Sequence, residues 1–373
     1  MRVSWWGFIV LGVVHGLSSL RGKKIPPQWT QKQGKIYWHG KAVTLRGCSW
    51  FGFETQDYVV NGLYSHSMDY YFDVMKSVGI NVIRVPVSAE WIYYNPDIQP
   101  QSGMYAADPS LAGKTSIQIL DLFFEKARDN GMAIMLDLHR LHNSYISELW
   151  YSPTDDLYPS SVFFDVWKTL LERYKHRDNL MAIDLLNEPH GPATWGAGNP
   201  ATDWNSFVEY AIPRLDRLFP DYHWLYFVEG INWGHDLQAY AEFPIRFNDT
   251  ALYDRVVYSA HVYGNSVVPG TSIDPTILYQ QWDHNFGFMK IEQGQTLVPG
   301  EWGGQTSIDK TWMSIFGQYL LDREMNSNFY WSLMPNSGDV HGLLLDDYTT
   351  LDAFKVDLIK KITPEAKPFV FAG

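Results

Sequence analysis

Short apolar runs alternate with longer amphipathic segments along most of the chain. Eight runs have the length and composition of buried strands, and the segments between them repeat apolar residues at helical spacing. The predicted strands lie at 43–50, 80–86, 132–139, 180–188, 223–229, 255–263, 296–301 and 328–333. The predicted helices lie at 68–78, 115–130, 162–177, 203–218 with a break near Pro213, 275–291, 310–325 and 350–362.

This strict alternation predicts a (β/α)₈ TIM barrel. Two further short strands around His39-Gly40 predict an N-terminal β-hairpin before the first barrel strand. A doubly wound open sheet is the alternative fold. No glycine-rich phosphate-binding turn follows the first strand, and its absence favours the barrel.

The connections between predicted elements differ in length. Links from helix to strand are brief, whereas several links from strand to helix are long and rich in Trp, Tyr, Gly, Pro and Asn: 91–114, 140–161, 191–202 and 334–348. Long loops on one face of a compact fold are usually functional. In a barrel that face is the C-terminal mouth, so the site is expected there.

Two predicted strands end in a glutamate. Asn187-Glu188-Pro189 closes one apolar run; Pro189 has no N–H and biases Glu188 toward an extended conformation, so the strand is expected to finish here. Glu301 stands between glycines at the end of another run. Hydrolysis of a glycosidic bond needs two such carboxylates, one to protonate the leaving oxygen and one to attack or to activate water. Solvated loop residues or ion-pair partners are the alternative reading.

Other strand ends also carry polar or aromatic groups. They are Arg84, His139, His261, Tyr263 and Trp331. Taken singly, each has an ordinary structural explanation, such as an ion pair, a core histidine or packing. His261 and Tyr263 are two residues apart, so in a strand both face the same way.

Composition narrows the class of protein. The 373 residues are 46% hydrophobic and 19% charged, which suits one large catalytic domain over residues 21–373. A net charge of −12 argues against nucleic acid or an anionic membrane as a partner. Cys48 is the only cysteine, so no intrachain disulfide is possible. Asn248 opens the single N-glycosylation pattern.

The N-terminus has the layout of a secretory signal. One early Arg is followed by about a dozen apolar residues and then small residues, which predicts a signal peptide over about residues 1–20 and a secreted, extracellular protein. The run is shorter than the roughly 20 apolar residues of a membrane span. An uncleaved N-terminal anchor is the alternative.

These motifs resemble glycoside hydrolase family 5, the cellulase family of retaining (β/α)₈ glycosidases, over nearly the whole mature chain. Asn187-Glu188-Pro189 is similar to its acid/base motif, and Gly300-Glu301-Trp302-Gly303 to its nucleophile strand end. Four further stretches, WFGFET, NEPHGPATWG, VEGINWG and WSLMPNSGD, resemble the bacterial-type endoglucanase branch.

The resemblance implies a role for each site residue. Glu188 would be the acid/base and Glu301 the nucleophile. The supporting residues would be Asn187 at the sugar 2-hydroxyl, Tyr263 and Arg84 at the nucleophile, His139 and His261 orienting the site, and Trp331 beneath the sugar beside the cleaved bond. The loop beginning His139-Arg140-Leu141-His142-Asn143 is less like the family. No cofactor or metal is implied.

Chemistry adds two expectations. The like charge of Glu301 should raise the pKa of Glu188, the acid, and activity should follow a bell-shaped pH profile on the acidic side of neutral. Loop aromatics should stack on successive sugars, with ordinary packing as the alternative for each: Trp50, Trp91, Trp150, Tyr151, Trp195 and Trp233.

The predicted function is thus a monomeric, retaining, endo-acting β-1,4-glucanase acting on a polysaccharide. A β-mannanase or another β-glycanase of the same family is the first alternative. A catalytically silent sugar-binding barrel is the second, and retention of both glutamates disfavours it. The third is a metal-dependent barrel hydrolase using Asp137, His139, His142 and Glu148, whose spacing is poor for a shared ion.

Overall fold

The computed structural model describes residues 29–371 and confirms the predicted (β/α)₈ barrel. Three antiparallel strands come first: β1 (Trp29–Lys32), β2 (Lys35–Trp38) and β3 (Lys41–Val43). The predicted hairpin is therefore part of a three-stranded sheet. His39 and Gly40, both at positive φ, form its second turn.

Nine parallel segments form the barrel wall. They are β4 (Arg46–Ser49), β5 (Val82–Ser88), β6 (Ala133–Arg140), β7 (Leu180–Asp184), β8 (Leu225–Glu229), β9 (Val256–Ser259), β10 (His261–Tyr263), β11 (Glu301–Gly303) and β12 (Asn328–Tyr330). Hydrogen bonding follows the order β10-β11-β12-β4-β5-β6-β7-β8-β9. Only Ala260 separates β9 from β10, so the nine segments make eight strand positions and a closed ring.

Helices connect the strands on the outside. They are α1 (Met68–Val78), α2 (Ser116–Asp129), α3 (Ser160–Tyr174), α4 (Trp204–Leu218), α5 (Pro275–Trp282), α6 (Phe288–Ile291), α7 (Thr306–Asp322) and α8 (Ala353–Ile362). A π-helical turn at Asp283–Gly287 joins α5 to α6.

The predicted break in α4 is wrong. The helix continues through Pro213 although proline donates no backbone hydrogen bond. Ala211, Ile212 and Leu215 are buried on either side of it, and this packing against the barrel keeps the segment helical.

The lower part of the barrel interior is apolar. Phe227 on β8 and Phe329 on β12 lie three strand positions apart, yet their ring centroids are only 6.0 Å apart inside the ring. Trp29 closes the N-terminal end, packed edge-on against Phe369 of the C-terminal tail. Apolar packing therefore fixes the N-terminal ends of the strands, and the candidate site lies at their C-terminal ends.

No helix within residues 29–371 combines the length and the apolar composition needed to cross a bilayer. The predicted signal peptide at residues 1–20 lies outside the described part of the chain.

Candidate active site

Arg84 of β5 lies at the centre of the barrel mouth with a fully buried guanidinium. Its Nε and Nη2 donate to Asp184 Oδ2 at 3.1 and 2.9 Å. Nη2 also lies 3.1 Å from Asp137 Oδ2 and 3.3 Å from Glu229 Oε1, and Nη1 donates to Glu301. One cation thus contacts four buried carboxyl groups on four different strands.

This arrangement shifts the charge state of the carboxyl groups. Burial raises the pKa of Asp137 and of Glu229 to about 7 and that of Asp184 to about 6, against the opposing charges of Arg84 and His261. Burial would lower the pKa of Arg84, but the carboxylates raise it well above its ordinary value. The guanidinium therefore stays charged while some of its partners hold protons near neutral pH.

Sequence reasoning missed most of this network. Asp184 and Glu229 were not predicted as site residues, and Asp137 was considered only as a metal ligand. A signal was present, since each is a lone acidic residue inside or at the end of an apolar strand, in the sequences MLDLH, AIDLL and LYFVEG. A charge in such a run is expected only where a buried partner compensates it.

Glu188 lies beyond its strand in a left-handed conformation. β7 ends at Asp184, and Glu188 has φ 50°, so the predicted extended conformation is wrong. Its backbone N–H donates to Glu229 Oε2 at 2.8 Å, which holds this conformation despite the following proline. Non-glycine residues with positive φ cost about 1–2 kcal/mol and cluster at functional sites.

His261 lies between the two predicted catalytic glutamates. Its Nδ1 is 3.0 Å from Glu188 Oε1 and 3.5 Å from Glu301 Oε2, and its Nε2 is 3.2 Å from Glu229 Oε1. An oxygen of Glu188 and one of Glu301 lie within 4.8 Å of each other. Tyr263 donates its hydroxyl proton to Glu301 Oε2 at 2.6 Å, so His261 and Tyr263 of β10 face the same way, toward the two glutamates.

The pKa shifts of these groups follow from their contacts. Burial would lower the pKa of His261, but Glu229, Glu301 and Glu188 raise it well above its ordinary value. Burial would raise the pKa of Glu188, yet the hydrogen bond and charge of His261 leave it lowered. Burial raises the pKa of Glu301, with His261 and Arg84 opposing. The predicted rise for Glu188 is therefore wrong for the free enzyme, because the imidazolium outweighs the like charge of Glu301.

The other predicted residues surround this centre. Asn187 Oδ1 accepts a hydrogen bond from Arg84 at 2.8 Å, and its Nδ2 is buried without a partner in residues 29–371. His139 Nδ1 is 2.7 Å from Asp137 Oδ2, and burial lowers the pKa of His139 well below its usual range. Trp331 stacks on His139 with centroids 5.3 Å apart.

A cleft of about 1130 Å³ opens over the centre and is lined by Glu188, Glu301, His139, His261, Tyr263, Trp331 and Trp233. Trp233 is 49% exposed, and one face of its ring stacks on His190 with centroids 3.5 Å apart. His190 Nδ1 in turn lies 2.6 Å from the backbone oxygen of Glu188. Trp233, which has an exposed face, is thus connected to Glu188 through a single residue, His190.

Four of the predicted stacking tryptophans are buried. Trp50 and Trp91 have no exposed surface, and Trp150 and Trp195 are at most 6% exposed. Their partners are ring or backbone groups of the loops: Phe123 against Trp50, Phe53 against Trp91, Phe207 against Trp150, and the Phe243 carbonyl at the Trp195 indole N–H. The predicted stacking of these four tryptophans on sugars is wrong, because their faces pack the loops onto the barrel.

The side chains of the metal-dependent alternative do not meet. His142 Nε2 lies 3.3 Å from Asp155, away from the Asp137–His139 pair, and Glu148 is exposed beside Gly191. Two other groups in the described chain are close enough to share an ion: Asp184, Glu229 and His261, and Glu188, His261 and Glu301. Both include His261, whose ring nitrogens lie 3.0 Å from Glu188 Oε1 and 3.2 Å from Glu229 Oε1.

Comparison with known proteins agrees with this geometry. An endoglucanase of Paenibacillus polymyxa is 36% identical over 347 residues, covering 87% of this chain and 83% of that protein. The major extracellular endoglucanase of Xanthomonas campestris pv. campestris is 34% identical over 343 residues, covering 87% and 68%. A cellotetraose complex of an endocellulase from Pyrococcus horikoshii superposes with a TM-score of 0.84 at 32% identity, covering 91% of this chain and 99% of that one.

The sequence profile of the family described as cellulase (glycosyl hydrolase family 5) matches residues 38–337. That range contains every strand of the barrel and both glutamates of the mouth. The match confirms the predicted family, and the chain belongs to glycosyl hydrolase family 5, as a glycosidase built on a (β/α)₈ barrel.

Proposed function

We propose that the protein is an endo-acting β-1,4-glucanase that hydrolyses cellulose-type polysaccharide with retention of anomeric configuration. The observation that carries this proposal is the closeness of Glu188 and Glu301, whose oxygens approach within 4.8 Å around His261. Retaining glycosidases hold their carboxyl groups about 5–5.5 Å apart, whereas inverting enzymes leave about 6.5–9.5 Å for a water molecule.

In the first step Glu301 attacks the anomeric carbon. The bond from that carbon to the leaving oxygen breaks, and the proton held by the hydrogen-bonded Glu188–His261 pair passes through Glu188 to that oxygen. Arg84 and Tyr263 contact the two oxygens of Glu301, so the attacking carboxylate is oriented from both sides. The products of this step are a glycosyl-enzyme ester and a shortened glucan with a free hydroxyl.

In the second step water attacks the same carbon from the side the leaving sugar vacated. Glu188, now ionised, accepts the proton of this water, and the ester bond to Glu301 breaks. Two inversions restore the original configuration. The proton returns to the Glu188–His261 pair, so the site is ready for the next turnover.

The surrounding groups support sugar binding. Arg84 fixes the Asn187 amide, and the unpartnered Nδ2 is a donor for the sugar 2-hydroxyl. Asp137 orients His139, which leaves the second ring nitrogen of His139 for a hydroxyl. Ser337 accepts a hydrogen bond from the Trp331 indole at 3.0 Å and holds that ring beneath the sugar to be cleaved.

The substrate proposal rests on the relatives. Two of them carry the name endoglucanase, and a similar endocellulase was crystallised with cellotetraose. The size of the cleft supports attack within a chain. We also propose secretion as a monomer; the N-terminal pattern at residues 1–20 and the extracellular Xanthomonas relative support the export part of this proposal.

The test is release of reducing ends from soluble β-1,4-glucan, with Glu301→Gln as the control. We expect activity in the parent and its loss in the variant, with a bell-shaped pH profile whose acid limb follows the ionisation of Glu301 and whose alkaline limb follows loss of the proton shared by Glu188 and His261. Activity on mannan but not glucan would favour the β-mannanase alternative. Inactivity on glucan, mannan, xyloglucan and mixed-linkage glucan would favour the silent sugar-binding barrel.

A further inference from the structure

Glu229 is a buried carboxyl group to which the proposed mechanism gives no part. It is the last residue of β8 and has no exposed surface. Its contact with Arg84, at 3.3 Å, is charge balance of the kind that Asp137 and Asp184 also supply. Glu229 makes two further contacts, and both are to groups that handle the catalytic proton. Charge balance alone therefore does not account for its position.

The first of these contacts fixes the backbone of the proposed proton donor. Glu229 Oε2 accepts a hydrogen bond from the Glu188 N–H at 2.8 Å. Glu188 has φ 50°, a left-handed conformation that is strained for a residue with a side chain. Leaving a buried N–H unpaired costs about as much free energy as this strain. Without the carboxyl group of Glu229, the conformation of Glu188 therefore loses its main support.

The second contact is with the imidazole beside the proton donor. Glu229 Oε1 lies 3.2 Å from His261 Nε2, and Nδ1 of the same ring lies 3.0 Å from Glu188 Oε1. The carboxyl group of Glu229 thus faces one ring nitrogen, and the proposed acid faces the other. Glu229 therefore acts on Glu188 twice, on its backbone directly and on its side chain through His261.

The position of the Glu229 carboxyl group is itself fixed by its neighbours. Gly234 adopts φ 71°, and a Cβ there would lie 2.6 Å from Glu229 Oε2 and 3.0 Å from the His261 ring, so the absence of a side chain makes room for both. The backbone N–H of His261 donates to the Gly234 carbonyl at 3.2 Å. The indole N–H of Trp204 donates to the backbone carbonyl of Glu229 at 2.9 Å. Glu229 is therefore held firmly enough to orient other groups.

We propose that Glu229 is a positioning residue for proton transfer, which holds Glu188 and His261 in the arrangement that delivers a proton to the leaving oxygen. The proposal rests on the proposed glucanase function and adds to it a residue that does not line the cleft. Asp184 is the matched comparison. It is equally buried and accepts from Arg84 at 3.1 and 2.9 Å, but within residues 29–371 it forms no hydrogen bond with Glu188 or His261.

The test compares two aryl β-cellobiosides that differ in their need for a proton. Phenol needs a proton to leave, whereas dinitrophenol leaves as an anion. We expect Glu229→Gln and Glu229→Asp each to lower kcat/KM for the phenyl substrate by about 30- to 100-fold, and for the dinitrophenyl substrate by at most about 3-fold. Gln replaces one acceptor oxygen by a donor, and Asp keeps the charge but is one methylene shorter. The ratio kcat/KM reports only the steps up to ester formation, so the second step does not enter.

The control is Asp184→Asn, in which the ratio of the two kcat/KM values should stay within about twofold of the parent. Circular dichroism should show that each variant is folded at the assay temperature. An equal loss on both substrates in the two Glu229 variants would overturn the inference, because Glu229 would then act only through the fold or the charge of Arg84. Parent activity on the phenyl substrate in both variants, or the same selective loss in Asp184→Asn, would also overturn it. A parent that cleaves neither substrate would instead overturn the proposed function, and the inference with it.

Discussion

The lower and upper parts of the barrel interior are built on the same strands but from opposite chemistry. On β5, β6 and β8 an apolar residue deep in the barrel is followed two positions later by a charged one: Val82 and Arg84, Met135 and Asp137, Phe227 and Glu229. The period of two keeps both members of each pair on the inner face. On each of these strands, two residues therefore separate the apolar packing layer from the layer of charged groups.

The apolar and the charged layer contribute differently to stability and to activity. The lower layer contributes through close packing and needs no charge balance. In the upper layer two cationic groups, Arg84 and His261, face five buried carboxyl groups, which is costly unless some of them hold protons. Changes in the upper layer should therefore affect activity and pH dependence as well as stability, and changes in the lower layer should affect stability alone.

The largest effect is expected at the proposed nucleophile. Glu301→Gln removes the attacking carboxylate but keeps its shape, and it should lower kcat on soluble β-1,4-glucan by about 10⁴-fold or more. Circular dichroism of the variant should match the parent. A variant that keeps a tenth of the parent activity would show that Glu301 is not the nucleophile.

Removal of the central cation should destabilise the protein. Arg84→Met leaves Asp137, Asp184 and Glu229 without their shared partner, and the free energy of unfolding should fall by about 3–5 kcal/mol. Arg173→Met, which breaks a partly exposed pair with Asp121, is the control and should cost at most about 1 kcal/mol. Equal losses of unfolding free energy for Arg84→Met and Arg173→Met, measured in urea, would contradict the claim that Arg84 compensates a cluster of buried carboxyl groups.

A cavity in the lower layer should lower stability without changing the chemistry. Phe329→Ala removes a fully buried ring that packs against Phe227, at a cost of about 3–5 kcal/mol in thermal or urea unfolding. At a temperature where the variant is folded, kcat should stay within about twofold of the parent, because the two layers are separate. A tenfold fall in kcat would show that the layers are coupled.

Trp233, which is exposed in the cleft, should contribute to substrate binding. Trp233→Ala should raise KM for cello-oligosaccharides by about 5- to 10-fold, the equivalent of about 1–1.5 kcal/mol of ring stacking. The control is Tyr210→Ala, an exposed aromatic of α4 that does not line the cleft. An unchanged KM in Trp233→Ala would remove this residue from the binding surface.

The smallest effect concerns the pH dependence of stability. Burial raises the pKa of Glu229 to about 7 from an ordinary 4.5, so the folded protein binds more protons than the unfolded chain between those pH values. Stability from this group is present below about pH 4.5 and is lost as pH rises toward 7. Glu229→Gln should therefore flatten the fall in unfolding free energy between pH 5 and 7, measured in urea, whereas Glu125→Gln on the surface should not.

The overall fold was predictable because the hydrophobic pattern repeats eight times. Helix α1 was placed at its observed bounds, since Gly79 adopts φ 80° and ends it as glycine commonly does. The continuation of α4 through Pro213 was not predictable, because tertiary packing overrides the local preference of proline. The predicted strand before Glu188 is too long for a related reason. The left-handed conformation of Glu188 depends on Glu229, 41 residues away.

Part of the site was predictable from polar residues at the ends of apolar runs, although Glu229, which also ends such a run, was missed. Glu188, Glu301, His261 and Tyr263 came from this pattern and meet in space. The stacking tryptophans could not be sorted from sequence, because a loop Trp packed on the barrel and one facing solvent have the same local composition. Trp233 differs by a neighbour, His190, which supports one of its faces and leaves the other exposed.

The central claim is that Glu301 forms a covalent bond to the sugar while Glu188 handles the proton. The most direct measurement is mass spectrometry of the enzyme after incubation with an activated 2-deoxy-2-fluoro-β-cellobioside, which slows the second step, followed by mapping of the labelled peptide. The account predicts one added glycosyl group on the peptide that contains Glu301. Turnover of cellohexaose to the α-anomer with no trapped ester, or a label on any other residue, would contradict it.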